Sequence, residues 1–310
     1  KNMFKEYKEI SLGWMDVDYN NNMRIIEDFI KKDNIEQIIF WGLEIGWDKL
    51  VKSVKKKFPS VAVKVICNTN DSLLYYEYER ENFFKLLELS RQNNIDDIAF
   101  LRKGQYQTYK NIGYRCSFLR ENYVLQENKK IDEKELDDTI NLGIYPLNYT
   151  WDKNIFNQLC VAKFIENCKL NYNNLDPRME DFLSTMQIVS KQDKIDNINE
   201  DILIEKINKN DVILSTSFTE YVHPVFFISM ELGIPCLIGD NSDFFEKEDE
   251  LKQYVVSSAE DNPIINSKMI VNMISNKSKI QQLYREWKKV YNKIAEESLK
   301  DFLRDRKSVV

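Results

Sequence analysis

The residues best suited to chemistry follow a short apolar run, 212–214, that predicts a buried strand. Side chains with hydroxyl, carboxylate or imidazole groups come next: Ser215, Ser217, Thr219, Glu220 and His223. Pro224 then opens an apolar segment, and proline suits the first turn of a helix. A loop between a parallel strand and a helix offers backbone N–H groups and the positive end of the helix dipole to an anion. The pattern therefore predicts an anion site faced by the N–H groups of Tyr221, Val222 and His223.

The elements around this loop form one βαβ unit. The helix that starts near Pro224 is expected to end at Gly233, because glycine readily takes the left-handed conformation after a helix. Pro235 and the apolar run 236–238 then predict a second buried strand. Strand, loop, helix and strand in so short a stretch predict two parallel strands joined by a crossover helix.

The same stretch resembles a known sequence pattern. The pattern runs from a strand through Ser-x-Ser and a glutamate, then seven residues to a second glutamate, small-Met-x-x-Gly-x-Pro and another strand. The positions in register are Ser215, Ser217, Glu220, Ser229, Met230, Gly233 and Pro235. The chain thus resembles retaining GT-B glycosyltransferases of the family 4, or glycosyl transferase group 1, type. Ile228 stands at the position of the second glutamate.

The resemblance implies roles for side chains in and after the loop. Glu220 would accept hydrogen bonds from hydroxyls of the donor sugar, whereas a glutamate near a helix start is also a common local cap. The family's second glutamate holds the ribose, and isoleucine cannot accept a hydrogen bond. Glu231, about one helical turn further on, is the candidate replacement, and a solvated helix residue is the plainer interpretation. Ser217 and Thr219 belong to the expected donor-binding loop.

The resemblance also implies a basic pair one strand earlier. The family carries an arginine and a lysine after the first strand of its second domain, where they neutralise the departing diphosphate. Asn148 or Tyr149 stands at the arginine position, Lys153 matches the lysine, and Asn154 replaces a glycine. A lysine in the first turn of a helix opposes the dipole, so a phosphate explains its charge better than the fold does.

Two short motifs in the first half carry weaker signals. Gly42, Gly46 and Trp47 mark a strand–loop–helix turn that is a candidate acceptor loop or a plain connection. Asp16-Val17-Asp18 matches the DxD metal signature of the other glycosyltransferase fold, GT-A. Three-residue motifs recur by chance, and the asparagines at 20–22 are typical of a turn.

Composition restricts the classes of function. The chain has 310 residues and a net charge of −6, which suits two domains and argues against a nucleic-acid partner. The five cysteines have no CxxC spacing and no apolar run is long enough to cross a bilayer, so a cytoplasmic protein with buried thiols is expected.

A cluster of lysines is either a candidate contact with the inner face of a membrane or a solvated helix end; its members are Lys52, Lys55, Lys56 and Lys57. His223, the only histidine, is a candidate acid–base group but more typical of a structural position, and it gives little support to a zinc site or a Ser-His-Asp triad.

Strands and helices alternate along both halves, which predicts an α/β protein with two Rossmann-like parallel-sheet domains. The resemblance implies that the domains face a cleft and that the first is short for the family. The polar stretch 125–140 is the predicted linker between an acceptor-side domain, 1–124, and a nucleotide-sugar domain with closing C-terminal helices, 141–310. Further predicted strands are 9–15, 36–40, 61–67, 98–101, 114–119, 144–147, 169–172 and 194–198. Predicted helices are 21–31, 47–58, 73–93, 105–111, 151–168, 201–208, a helix capped by Asp176 and started by Pro177, and a helical stretch 267–306.

The resemblance implies a glycosyltransferase that moves a sugar from a UDP or GDP type donor to a hydroxyl of a glycan, lipid-linked or protein acceptor. Glu220 and Lys153 are the predicted catalytic residues. The resemblance implies retention of anomeric configuration, and neither a metal nor another cofactor is expected. One alternative is a catalytically inactive GT-B-like domain that binds or regulates a partner, which Ile228 favours. A sugar-nucleotide epimerase is another, and the sequence specifies no oligomeric state.

Overall fold

The computed structural model describes residues 15–121, 138–146, 149–173, 176–193, 200–219, 224–241, 243–246 and 249–304. Contacts group the chain into two compact units, one made of 1–122 with 292–310 and the other of 123–291. The strands form two parallel sheets, which confirms the predicted α/β class with two Rossmann-like sheets. Most of the predicted linker lies outside the described residues, so the division at 125–140 stays a prediction.

In the described part of the first unit, helices alternate with four parallel strands. Its elements are α1 (Met15–Asp33), β1 (Gln37–Trp41), α2 (Trp47–Lys57), β2 (Ala62–Cys67), a 3-10 helix (Asp71–Tyr75), α3 (Glu77–Arg91), β3 (Asp97–Phe100), α4 (Lys103–Asn111) and β4 (Cys116–Phe118). The strands lie in the order β1-β2-β3-β4, each parallel to the one before it. Every residue of β2 is buried, as expected for a parallel strand covered on both faces.

The second unit has a larger sheet. Its elements are β5 (Ile140–Ile144), a 3-10 helix (Trp151–Lys153), α5 (Ile155–Val161), a second 3-10 helix (Ala162–Phe164), β6 (Cys168–Asn173), α6 (Pro177–Thr185), β7 (Ser190–Asp193), α7 (Glu200–Ile207), β8 (Val212–Ser215), α8 (Pro224–Glu231), β9 (Cys236–Gly239), α9 (Lys252–Val255), β10 (Val256–Ser257), α10 (Pro263–Ser275) and the first part of α11 (Lys277–Leu303), whose residues from 292 onward belong to the first unit. The six strands are parallel and lie in the order β10-β9-β8-β5-β6-β7.

This strand order contains a switch point between β5 and β8. From β5 the chain continues through β6 to β7 on one side, and from β8 it continues through β9 to β10 on the other. Connections that leave two neighbouring strands in opposite directions open a crevice at their carboxyl ends, and ligands of open α/β sheets bind there. The loops after β5 and β8 are therefore the first place to look for a site.

Helix α8 is buried on all sides. This packing holds the amino end of the helix, at Pro224, in place. Its residues 225–230 are all buried. The ring of Phe226 lies 6.2 Å from that of Trp287 in α11, and the ring of Phe227 lies 5.6 Å from that of Tyr291. A helix that is apolar all round needs such cover on every face.

A buried lysine in β2 donates hydrogen bonds to the main-chain carbonyls at the end of α11. The Lys64 ammonium donates to the main-chain carbonyl of Phe302 and, at 3.1 Å, to that of Arg304. Carbonyls at a helix end have no partner within the helix and carry negative partial charge. Lys64 therefore fixes the final turn of α11 within the first unit.

Several local predictions are confirmed. The Asp176 carboxylate accepts from the backbone N–H of Arg178 at 2.9 Å and of Met179 at 3.2 Å, as a cap before Pro177 should. Gly233 takes a φ of 73° just after α8, which is the left-handed conformation expected of it.

Other local predictions are wrong or lie outside the described residues. The strand predicted at 144–147 is β5, at 140–144, and its polar residue Asn141 is accommodated because the Asp211 carboxylate accepts from the Asn141 side-chain amide at 3.2 Å and from its backbone N–H at 2.7 Å. The asparagines at 20–22 and the DxD residues at 16–18 are helical, within α1, rather than in a turn. Residues 9–14 and 194–198, both predicted as strands, lie outside the described residues.

Three predicted helices differ in extent. The helix predicted at 73–93 is a 3-10 helix followed by α3, with Tyr76 extended between them. The helical stretch predicted at 267–306 begins earlier and is two helices, α10 and α11. The helix predicted at 151–168 is broken at Asn154, which has a φ of 55°.

None of the described helices combines the length and the apolar character that a membrane crossing requires.

Candidate functional site

The loops that follow β5 and β8 are joined above the switch point. The backbone N–H of Phe218 donates to the carbonyl of Asp152 at 2.8 Å. The side-chain amide of Asn154 donates to the carbonyl of Thr216 at 3.0 Å and to that of Glu260 at 2.7 Å. Three loops, after β5, β8 and β10, are thus held together at the carboxyl edge of the sheet.

Asn154 holds this junction from a left-handed backbone conformation, with φ 55° and ψ 35°. Asparagine tolerates this region better than most residues, and glycine tolerates it freely. That freedom explains how asparagine can occupy a position where the resembled pattern has glycine. The side-chain oxygen Oδ1 of Asn154 also accepts from the Asn157 side-chain amide at 2.6 Å. With its amide engaged by protein groups, Asn154 positions the loops.

Lys153 lies at the same junction, paired with a buried acid. Its side chain is 12% exposed, and its ammonium lies 3.5 Å from the carboxylate of Asp152, which is 2% exposed. The Gln158 amide donates to the Lys153 carbonyl at 2.6 Å. Together the ammonium and the carboxylate carry no net charge.

Buried polar atoms cluster beside this pair. Thr216, Ser217 and Thr219 are all buried, and the Asn241 amide donates to the Ser217 carbonyl. Within the described ranges, the hydroxyls of Thr216 and Thr219, one oxygen of Asp152 and the side-chain oxygen of Asn241 have no hydrogen-bond partner. Buried polar atoms in folded proteins are nearly always paired, so such a group is typical of a site completed by water or a ligand.

Five predicted site residues lie outside the described residues: Asn148, Glu220, Tyr221, Val222 and His223. Their roles stay predictions. Helix α8 begins at Pro224, directly after the last four of them. Tyr149, the other candidate for the family's arginine position, donates its hydroxyl to the Asn173 carbonyl at 3.1 Å, and burial raises its pKa.

The two positions that bear on ribose binding point into the protein. Ile228 is 1% exposed and belongs to the apolar core of the second unit. Glu231 lies at the other end of α8 from the loop, where its carboxylate accepts from Tyr284 at 2.5 Å and pairs with Lys288. Burial, followed by the Glu231 charge, raises the pKa of Tyr284. Because these contacts occupy its carboxylate, Glu231 is left out of the site proposed below.

Sequence reasoning missed three residues at the junction. Asp152 precedes the predicted lysine, and Trp151 and Phe218 are large rings that remain 54% and 41% exposed. Their ring centroids lie 6.4 Å apart. The available signal was that each ring stands in a polar loop within two positions of a predicted catalytic residue, Lys153 or Glu220.

The predicted acceptor loop of the first unit has the contacts of a strand–helix connection. Gly42 and Gly46 have φ of 79° and 81°, and the Gly42 N–H donates to the Ile66 carbonyl at 2.8 Å. The Trp47 ring lies 5.5 Å from that of Phe40 in β1. Positive φ at both glycines explains the residue choice, and the acceptor role stays a prediction.

The predicted lysine cluster on α2 is partly neutralised. Lys55 donates to Asp96 at 2.6 Å, and Lys57 pairs with Glu27 at 2.5 Å. Lys52 and Lys56 are exposed. Paired lysines attract an anionic surface less than free ones, and membrane contact stays a prediction.

Comparison with known proteins finds no match by sequence, either to a family model or to a curated protein. Solved structures do match. Sucrose-phosphate synthase from Thermosynechococcus elongatus is 11% identical, with 95% of this chain and 79% of that chain covered and a TM-score of 0.64. The apo form of the lipopolysaccharide outer core galactosyltransferase WaaB is 13% identical, with 91% and 79% covered and a TM-score of 0.61. Anabaena HepE, in complex with UDP and glucose, is 8% identical, with 95% and 84% covered and a TM-score of 0.61.

These structures are GT-B glycosyltransferases. This chain has the GT-B fold. The fold suggested by the residues from Ser215 to Pro235 is therefore confirmed, and the family 4 subtype stays a prediction. In this GT-B chain, the described residues that the sequence pattern singled out, Lys153, Asn154, Ser217 and Thr219, meet at the switch point of the second unit.

Proposed function

We propose that this protein is a glycosyltransferase that binds a nucleotide-diphosphate sugar at the switch point of its six-stranded sheet and transfers the sugar to an acceptor hydroxyl. The observation that supports this most is that the neighbours of Lys153, Asp152 and Asn154, hydrogen-bond to the hydroxyl-bearing loop 215–219, which precedes α8 in the chain. A cation, buried hydroxyls and a helix start are the groups that a diphosphate requires. The acceptor is a glycan, a lipid-linked saccharide or a protein.

In this proposal, catalysis rests on stabilising the leaving diphosphate. Charge would build on the diphosphate as its bond to the anomeric carbon breaks, and the Lys153 ammonium would stabilise that charge. The N–H groups of 221–223 would add to it at the start of α8. Glu220 would hold hydroxyls of the donor sugar, while the acceptor oxygen forms the new bond to the anomeric carbon and its proton passes to the departing diphosphate. Transfer would retain the anomeric configuration and need no metal.

UDP is the donor type to test first. The structures of HepE and of TarM, which share the fold, contain UDP. Because Ile228 is buried where the family has a glutamate, the ribose in this chain would be held by other groups, so the affinity for UDP and for GDP must be compared directly.

Isothermal titration with UDP, GDP and their hexose conjugates tests the proposal, with EDTA present and absent. Wild type is expected to bind one nucleotide class. Lys153→Ala should bind it roughly 10- to 100-fold less tightly, because a charge-assisted contact to phosphate is lost. Lys163→Ala is the matched control, since Lys163 is an exposed lysine of the same unit.

Two results would count against the proposal. The first is a wild type that binds none of these ligands. The second is a Lys153→Ala variant that binds as tightly as Lys163→Ala. NMR of the sugar released by slow donor hydrolysis then tests retention, because the same anomer as in the donor is expected.

A further inference from the structure

We infer that Trp151 and Phe218 form an aromatic surface that contacts the apolar face of a substrate sugar ring and so contributes to sugar selectivity. The inference rests on the proposed function, and it concerns residues that the sequence pattern did not single out. It follows from where the two rings lie, how firmly they are held and which polar groups surround them.

The two rings lie side by side at the carboxyl edge of the second sheet. Trp151 starts the 3-10 helix after β5, and Phe218 belongs to the loop after β8. Their centroids are 6.4 Å apart, and the ring planes are tilted by 34°. Trp151 is 54% exposed and Phe218 is 41% exposed. Together they present one apolar surface of two rings at the switch point.

The main chain around both rings is held in place. The Phe218 N–H donates to the Asp152 carbonyl, and the Asn241 amide donates to the Ser217 carbonyl. The Asn154 amide donates two further hydrogen bonds, to the carbonyls of Thr216 and Glu260. Large rings with few rotatable bonds on a fixed loop lose little entropy when a ligand binds, so this surface is preorganised.

The surroundings favour a sugar over a purely apolar ligand. A pyranose has C–H groups on its faces and hydroxyls around its edge, so it needs an apolar surface bordered by polar groups. Here the residues within two positions of one ring or the other include the Lys153–Asp152 pair and the hydroxyl-bearing Thr216 and Thr219. A pyranose suits this combination of exposed rings and neighbouring polar residues better than a wholly apolar partner does.

The test compares ligands that carry a sugar with ligands that do not. UDP, UDP-glucose and UDP-N-acetylglucosamine are titrated into wild type, Trp151→Ala and Phe218→Ala, and the same proteins are applied to an array of immobilised oligosaccharides without nucleotide. The titration reports a donor sugar and the array an acceptor sugar. Phe156→Ala is the matched control, because Phe156 is 45% exposed in the same unit and its ring pairs with Phe182 at 5.3 Å.

Both variants should bind UDP as wild type does and at least one class of sugar ligand roughly three- to tenfold less tightly. Trp151→Phe should recover most of the affinity, because it keeps an aromatic face. Phe156→Ala should be unchanged.

Equal weakening for UDP and for the UDP-sugars would overturn the inference, because it would indicate damage to the phosphate or base site. Unchanged binding of every sugar ligand would overturn it as well. If wild type binds no nucleotide, the proposed function fails, and the array decides the inference separately: loss of oligosaccharide binding in both variants upholds it, and no binding by wild type overturns it.

Discussion

Substitution of Asn154 tests whether one amide holds the loops of the candidate site together. Its amide donates to the Thr216 carbonyl at 3.0 Å and to the Glu260 carbonyl at 2.7 Å, and its backbone is left-handed, with a φ of 55°. Asn154→Gly keeps this backbone freely and removes only the side chain. Asn154→Ala removes the same bonds and adds the cost of a left-handed alanine.

The expected loss of stability depends on which hydrogen bonds remain at the Thr216 and Glu260 carbonyls after the Asn154 amide is removed. The Glu260 carbonyl retains the Asn266 amide at 3.3 Å, so the loss there is one ordinary hydrogen bond, about 1 kcal/mol. The Thr216 carbonyl retains no other partner among the contacts described above, and a buried acceptor left alone costs about 1–3 kcal/mol. Asn154→Gly should therefore lower the free energy of unfolding by about 2–4 kcal/mol. Asn154→Ala should cost about 1–2 kcal/mol more.

Asn167 provides the matched control because it has the same conformation without these bonds. It is exposed, with a φ of 51°, in the turn before β6. Asn167→Gly should change stability by less than about 0.5 kcal/mol, and Asn167→Ala should show the backbone cost alone. Urea unfolding followed by far-UV circular dichroism gives all four values. If Asn154→Gly were as stable as Asn167→Gly, the two amide bonds would not hold the loops, and the reasoning would be refuted.

Two further predictions concern buried side chains. Ile228→Glu, which restores the family's glutamate, should destabilise the protein by more than about 3 kcal/mol without tightening UDP binding, because Ile228 is 1% exposed in the core. Ile228→Val, the thermal-unfolding control, should cost about 1 kcal/mol, and a stable glutamate variant with tighter binding would contradict the argument. Burial raises the pKa of Glu121 to about 7 from an ordinary value of 4.5, so the folded state holds this proton more tightly than the unfolded state does. The stability linked to this proton is complete below about pH 4.5 and is lost as the pH rises through 7. Glu121→Gln should remove that part of the slope in urea unfolding between pH 5 and 8, and an equal slope in both proteins would show that Glu121 is not responsible.

The order of strands and helices could be predicted because buried parallel strands leave a strong signal. The residues of β2 are all buried, and its apolar run is visible in the sequence despite Lys64. The cap at Asp176 was equally visible, since a capping side chain followed by a proline acts within one turn. Such features depend on neighbours in the chain, which a sequence shows directly.

Features that depend on distant partners could not be predicted. β5 begins at Ile140 rather than at 144, and Asn141 is tolerated there only because Asp211 accepts from it. The break at Asn154 likewise needs the Thr216 and Glu260 carbonyls as partners. Glu231 was a reasonable ribose ligand until Tyr284 and Lys288, more than fifty positions away, proved to be its partners. In each case a long-range hydrogen bond overrides the local pattern.

Amide side chains hold several of the loops at the carboxyl edge of the second sheet. Besides Asn154, the Asn241 amide donates to the Ser217 carbonyl, and the Asn173 amide donates to the Pro146 carbonyl at 2.9 Å. Amides do not titrate and are little affected by salt, so these contacts do not depend on the charge of a bound substrate. Under the proposed function, positioning and charge stabilisation would fall to different side chains, Asn154 for the first and Lys153 for the second. This separation is why Asn154→Gly should appear as a loss of stability and Lys153→Ala as a loss of nucleotide affinity.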